Sequence, residues 1–360
     1  MKFERAALLG VGCILPPEVL SSEAIEERLR PLYERLALPA GRLEFASGIK
    51  QRRLWPPGER ISDCSIAAAQ AALEAAELAP QRVGVLIHAS VCREFLEPAT
   101  ACRVHHHLGL PPQAWVYDLS NACLGLINGA VQIATLVERG VVEAGIVVGT
   151  ENSRGLLEST IAMLNSDPTL TRQSIKGAFA SLTIGSGACA WLIADREKFG
   201  GGAIEAAAAR AHTQHNELCV SQTDRAGDGM QPLMDTDSER LLEAGIEAGA
   251  ATFEDLLAAG DLTRQDIGGS VCHQVGNVHR RRILERLGLP IERDFATFEW
   301  FGNTGSVALP TALAIGVDRG GLDPHRPTAL LGIGSGINSA MLAMRLDGVR
   351  VRVVDRADAA

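Results

Sequence analysis

The chain has 360 residues, 46% hydrophobic and 21% charged, which excludes a disordered segment and suffices for two ordinary α/β units around a large core. A net charge of −9 gives nucleic-acid binding no electrostatic support and argues against an anionic membrane as the main partner. There is no run of eighteen apolar residues, no leader-like N-terminus and no CxxC among the eight scattered cysteines, so the expectation is a reduced, cytoplasmic protein without a membrane span.

In chain order, short apolar runs alternate with helical stretches. AALLGVG, centred on 7–12, reads as a strand. Residues 62–77 read as a helix, with Ser62 or Asp63 as its N-cap. A buried strand is expected at 83–90, a helix at 99–108, a strand at 115–119 and a helix at 123–140. Strands at 144–151 and 188–195 complete a first α/β half. DREKFGGGA (195–203) is charged and glycine-rich, and divides an N-terminal half (1–197) from a C-terminal half (198–360). The second half opens with the strand candidate IEAAAARAH and a long helix at 236–260, capped by Asp237 or Thr236. SVCHQVG (270–276) is a strand running into a turn, helices follow near 277–287 and 305–316, and strands at 328–336 and 339–346 close the chain.

The two halves rhyme. A strand ends near His88 in one and near His273 in the other; about thirty residues later come Asn121 and Asn303, each before a helix rich in small residues. About thirty residues on, IVVG and LLGIG end in glycine. A duplicated unit and the ordinary period of any α/β chain both fit this spacing.

Cys123 lies in DLSNACLGLING, between a strand and a helix. There the helix N-terminus would stabilise a thiolate; the alternative is a buried structural cysteine. His273, after a strand in VCHQVGN, suits an acid, a base or an oxyanion donor, or a satisfied core histidine. Asn303, in WFGNTGSVALP, suits an amide donor to a thioester oxygen, or a turn. GIGSG (332–336) suits a phosphate cradle or a backbone N–H close to a carbonyl, and matches neither a dinucleotide fingerprint nor a P-loop. His105, His106 and His107 point in different directions on a helix and cannot hold one metal together. Glu97, in CREFLEPATA, reads by itself as a solvated glutamate on a loop.

Taken in order, DLSNACLGLING, HQVGN and FGNTGSVALP resemble the Cys–His–Asn signature of ketoacyl-ACP synthase III-type enzymes of the thiolase superfamily. GIKQRRLW (48–55) and GIGSG also fit, and the resemblance runs from about residue 6 to residue 346. ERLRPLYERL, SVCREFLEPATA, NACLGLING, NELC, HQVG with a second histidine at 279, and LLGIGSGINSAM resemble more closely the OleA family, acyl-CoA condensing enzymes of bacterial long-chain olefin biosynthesis. FASGIKQRR departs from the initiating synthases by placing Ala46 where they carry a coenzyme A-contacting arginine. HQVGN replaces their HQAN, and they have no match for Glu97. No cysteine follows Cys272, so the second cysteine of degradative thiolases is missing.

The resemblance implies a thiolase fold, two pseudo-repeated α/β halves in a layered αβαβα architecture. It implies Cys123 as the acylated nucleophile, and His273 and Asn303 as holders of the second thioester's oxygen. Backbone N–H groups of Cys123 and the Gly334–Ser335–Gly336 turn would form the oxyanion site. In the OleA family the LEP glutamate reaches the neighbouring subunit's site and removes the α-proton, a role that falls to Glu97 and implies a homodimer. Fatty acyl-CoA is the expected partner, with no cofactor beyond the coenzyme A thioesters and no metal. Arg52 and Arg53 are candidates for the coenzyme A phosphates, and the apolar segment 152–180, with Phe179, for lining alkyl channels. A downstream pathway enzyme is a further candidate partner. The implied reaction is non-decarboxylative Claisen condensation of two fatty acyl-CoAs. The alternatives are decarboxylative synthesis from a malonyl thioester, acyl transfer to an oxygen or nitrogen nucleophile, and a non-catalytic subunit of a condensing complex.

Overall fold

Ten residues in a row, Ala6–Leu15, are buried, which is why this strand reads as one apolar run without alternation. The computed structural model describes residues 1–221 and 234–357. The strand packs on the helix Ile61–Ala76, which sets Ala68, Ala71, Ala72 and Ala76 against Gly10 and Gly12. A Cβ placed on Gly12 would lie 2.0 Å from the Ala68 carbonyl oxygen, so strand and helix approach closer than any side chain permits. Gly12→Ala must push the two elements apart, and a loss of about 3 kcal/mol or more is expected in denaturant unfolding. A loss under about 1 kcal/mol would show that this contact is soft.

One sheet carries the fold among the described residues. Its first part runs Trp115–Leu119, Val83–Ala89, Ala144–Glu151, Gly187–Asp195, Ala6–Leu15. Its second part runs outward from Gly202–Ala211 through Asn338–Met344 and Thr328–Gly334 to Gly269–Cys272. Two residue pairs, Ala7 with Ala203 and Leu8 with Gly202, join the parts. Order and direction repeat. In each part the first strand pairs antiparallel with the last, the last antiparallel with the one before it, and that one parallel with the next. A parallel bridge from Ser270 to Asp294 stands where the first part has Trp115–Leu119. The spacing of the two histidine–asparagine pairs therefore reflects a repeated topology.

Three apolar cores give the layers. One lies between the first part of the sheet and the helices Ile61–Ala76 and Thr100–Leu108. The central core buries the helices Gly125–Glu138 and Ala308–Asp318, both rich in small residues, between the two sheet parts. The third covers the second part with Ser238–Gly260 and Asn277–Leu287. Both middle helices start from turns bearing site candidates, Cys123 and Asn303, so the layering brings those turns to one end of the central layer.

Several features escaped the sequence. Helix Ile61–Ala76 is capped at Arg60, without a side-chain cap bond, and not at Ser62 or Asp63. The Ser62 N–H is instead taken by Glu94 from a distant loop, at 3.2 Å. Asp237 does cap the long helix, accepting from the Arg240 N–H. The strand Arg350–Asp355, alternating in exposure and only half-buried, pairs parallel with Ala6–Leu15. Short helices Ser22–Arg28, Arg30–Arg35 and Arg42–Ser47 pack with Arg154–Ser166 into a fourth apolar cluster. No helix among the described residues is long and apolar enough to cross a membrane.

Candidate active site

Cys123 sits on a tight turn between Trp115–Leu119 and Gly125–Glu138. Ala122, just before it, has φ +44°, a left-handed conformation costing an alanine about 1–2 kcal/mol. The turn closes through Leu124 N–H to Asn121 C=O at 2.9 Å. Asn121 is fixed in turn: its Nδ2 donates to Asn128 at 2.6 Å, and its Oδ1 accepts from Asn338 at 3.2 Å. Asn338 begins the strand after GIGSG, so this amide chain ties the cysteine turn to the loop of the second half. The glycines then allow contact. A Cβ on Gly334 would stand 3.0 Å from Leu124 Cγ and 3.7 Å from the Cys123 Cβ. The turn containing Gly334, Ser335 and Gly336 thus lies against Cys123, where a backbone N–H has room to approach a thioester oxygen.

His273 follows Gly269–Cys272, and its N–H donates to Leu331 C=O at 3.1 Å, in the strand ending at Gly334. The residue is buried, yet neither ring nitrogen has a hydrogen-bond partner among the described residues. Gln274 beside it accepts from the N–H groups of Thr297 and Phe298 at 2.7 and 3.1 Å. That contact anchors the segment leading to Asn303. Asn303 N–H donates to Thr183 C=O at 3.0 Å, and its C=O accepts from Gly185 N–H at 2.9 Å. Its side-chain oxygen accepts from Gly305 N–H at 3.0 Å, which identifies Nδ2 as the end free to donate.

The electrostatics correct one expectation. Cys123 does not rest as a stabilised thiolate: burial, the negative charge of Glu151 and Cys219 push its thiol up to about 12. The helix begins only at Gly125, two residues after Cys123. Burial, with His279 second, lowers His273 to about 3, and burial lowers His279 to about 4. Near neutral pH the site therefore rests as a thiol and a neutral imidazole, the form able to donate from one nitrogen and accept at the other.

The other candidates fall elsewhere. Glu97 is on the exposed loop between Val83–Ala89 and Thr100–Leu108, and has no hydrogen bond or ion pair among the described residues. Phe95 and Leu96 beside it are 49% and 60% exposed. Arg52 is no phosphate ligand. It is fully buried, bonded to the carbonyls of Leu20 and Leu182 and to Ser22, and burial lowers it to about 10. In the short strand Gln51–Leu54 alternate side chains face inward, and Arg52 is one of them. Arg53 is also committed, pairing with Asp355 at 2.8 Å and bonding Pro16 C=O. Phe179 is partly buried against the fourth apolar cluster. The sequence reading missed Glu151, Asn338 and Ser306, which only the fold brings to these turns.

The model for the C-terminal domain of 3-oxoacyl-[acyl-carrier-protein] synthase III matches residues 257–346, which include His273 and Asn303. Two relatives are acyl-CoA:acyl-CoA alkyltransferases. The protein of Shewanella oneidensis is 36% identical over 96% of this chain and its own full length, and that of Xanthomonas campestris is 33% identical over 95% and 98%.

The chain belongs to the acyl-CoA:acyl-CoA alkyltransferase (OleA) family.

Among solved structures, an X. campestris OleA cysteine-to-serine variant with bound lauric acid and lauroyl-CoA superposes with a TM-score of 0.89 at 32% identity. The match covers 95% of this chain and 99% of that one. The fold is that of the thiolase superfamily, and the chain is a condensing enzyme of the ketoacyl synthase III type.

Proposed function

We propose that this OleA-family enzyme joins two fatty acyl-CoA molecules by non-decarboxylative Claisen condensation, using Cys123, His273 and Asn303 with Glu97 from a second copy. The observation that carries the reading is the convergence of the Cys123 turn with the Gly334 loop, beside a buried, unpartnered His273.

In the first half-reaction Cys123 Sγ attacks the acyl carbonyl. Backbone N–H groups of Cys123 and the Gly334–Gly336 turn face the developing oxyanion, a kind of contact worth about 3–4 kcal/mol per donor. With the thiol up near 12, the proton leaves as the bond forms; it passes by way of His273 to the departing coenzyme A thiolate. The C–S bond to coenzyme A breaks, and acyl-Cys123 remains.

The second acyl-CoA has no carboxylate to lose, so a base must take its α-proton. Glu97 of the partner subunit does so, while His273 and Asn303 Nδ2 donate to the enolate oxygen. The α-carbon attacks the acyl-Cys123 carbonyl, the C–S bond breaks, and the Cys123 thiolate is reprotonated. The 2-alkyl-3-ketoacyl thioester is then hydrolysed to the 2-alkyl-3-keto acid.

The second copy is argued from an open edge. Trp115–Leu119 is the outermost strand of its part of the sheet, with one edge unpaired among the described residues and Trp115 56% exposed. Asp118 in it accepts the N–H groups of Thr100 and Ala101, at the end of the Glu97 loop. An apolar, unpaired edge invites pairing, and edge-to-edge association would carry the loop and its Phe95 and Leu96 onto the partner.

Purified protein incubated with myristoyl-CoA alone is expected to yield a 2-alkyl-3-keto acid, or the long-chain ketone left by loss of CO₂, by mass spectrometry. Acylation of Cys123 with no condensed product until malonyl thioester is added would replace this reading with decarboxylative synthesis.

A further inference from the structure

Glu151 ends the strand Ala144–Glu151 and is 6% exposed. Its carboxylate collects four donors. Oε1 accepts from Val91 N–H at 3.0 Å, Ser306 Oγ–H at 2.5 Å and Ser306 N–H at 3.3 Å, and Oε2 accepts from Cys92 N–H at 3.2 Å. Val91 and Cys92 open the loop that carries Glu97. Ser306 lies three residues after Asn303, in the turn held by the Gly305 N–H bond to Asn303. One buried carboxylate thus fastens the Glu97 loop to the Asn303 turn, with the sheet as backing.

Packing holds it there. A Cβ on Gly305 would come within 3.2 Å of the Glu151 carboxyl carbon, so the turn lies directly on the carboxylate. Four donors on two oxygens suit an anion, which accepts without a proton of its own. Burial, the larger effect, raises the Glu151 carboxyl above its ordinary value and these donors offset only part of that rise; its charge is among the causes that raise Cys123.

We infer that Glu151 is a positioning residue for condensation: its carboxylate fixes the Asn303 turn in its own site and the Glu97 loop offered to the partner's. The inference rests on the condensing reading above. Cys123 acylation uses neither Asn303 nor Glu97, so the two half-reactions should separate when Glu151 changes.

Glu151→Gln keeps the shape but sets an NH₂ against a backbone N–H, whichever way the amide turns. Ser306→Ala removes only the hydroxyl bond. With myristoyl-CoA, single-turnover acylation of Cys123 is expected to stay within about threefold of wild type in both variants. Condensed product should fall about 100-fold in Glu151→Gln and about tenfold in Ser306→Ala. Iodoacetamide alkylation of Cys123 in Glu151→Gln should shift to lower pH, because a nearby negative charge is gone. The proposal falls if both variants condense at wild-type rate or if Glu151→Gln loses acylation as fully as condensation. Failure of wild type to make condensed product would instead remove the condensing reading, and the alkylation profile would still decide whether Glu151 acts on Cys123.

Discussion

Cys123→Ala is expected to abolish acyl loading and condensation together, lowering product formation by at least about 10⁴-fold. The fold should persist, because the turn is held by backbone and asparagine bonds and not by the thiol. Intact-protein mass spectrometry after myristoyl-CoA would show the acyl adduct on wild type and none on the variant. The raised thiol adds a pH signature. A group with its acid form favoured ionises late, so alkylation of Cys123 in the free enzyme should be slow at pH 7 and climb towards pH about 12. Full-rate alkylation at pH 7 would mean that a preformed thiolate exists and that the charge of Glu151 does not govern the site.

Glu97→Gln is expected to leave acylation of Cys123 intact and to lower condensation by at least about 10³-fold, since an amide cannot take the α-proton. The exposure of Glu97 makes a sharper test possible. In a mixed dimer of one Glu97→Gln protomer and one Cys123→Ala protomer, a base acting across the interface restores one working site. A base acting within its own chain restores none. Purified mixed dimers, assayed for condensed product, separate the two outcomes directly.

The sequence was informative wherever chemistry depends on local context. Apolar runs located nine of the ten strands of the large sheet, because most of them are buried on both faces and cannot hide among polar residues. Cys123, His273 and Asn303 each stand at a strand end or before a helix of small residues, but that local context left a structural reading open for every one of them; it was the resemblance of the three motifs, in order, to the condensing-enzyme signature that singled them out. Arg350–Asp355 was missed because its half-exposed alternation differs from those runs. The short helices of residues 22–47 were missed because one or two turns leave little periodicity.

Charge and partnership followed a different rule. Arg52 reads as a surface cation and is buried among carbonyls, since only the pairing of Gln51–Leu54 with Glu18–Ser21 decides which side of that strand faces inward. The Cys123 turn is visible in the sequence, but its acidity is not: burial and a carboxylate 28 positions away set it. The residue types and their order determined what reactions this protein can attempt. The tertiary structure alone decided which groups are neutral, which are committed to scaffolding, and that Glu151 joins two turns separated by more than two hundred residues, because desolvation and hydrogen-bond partners depend on neighbours in space and not on neighbours in the chain.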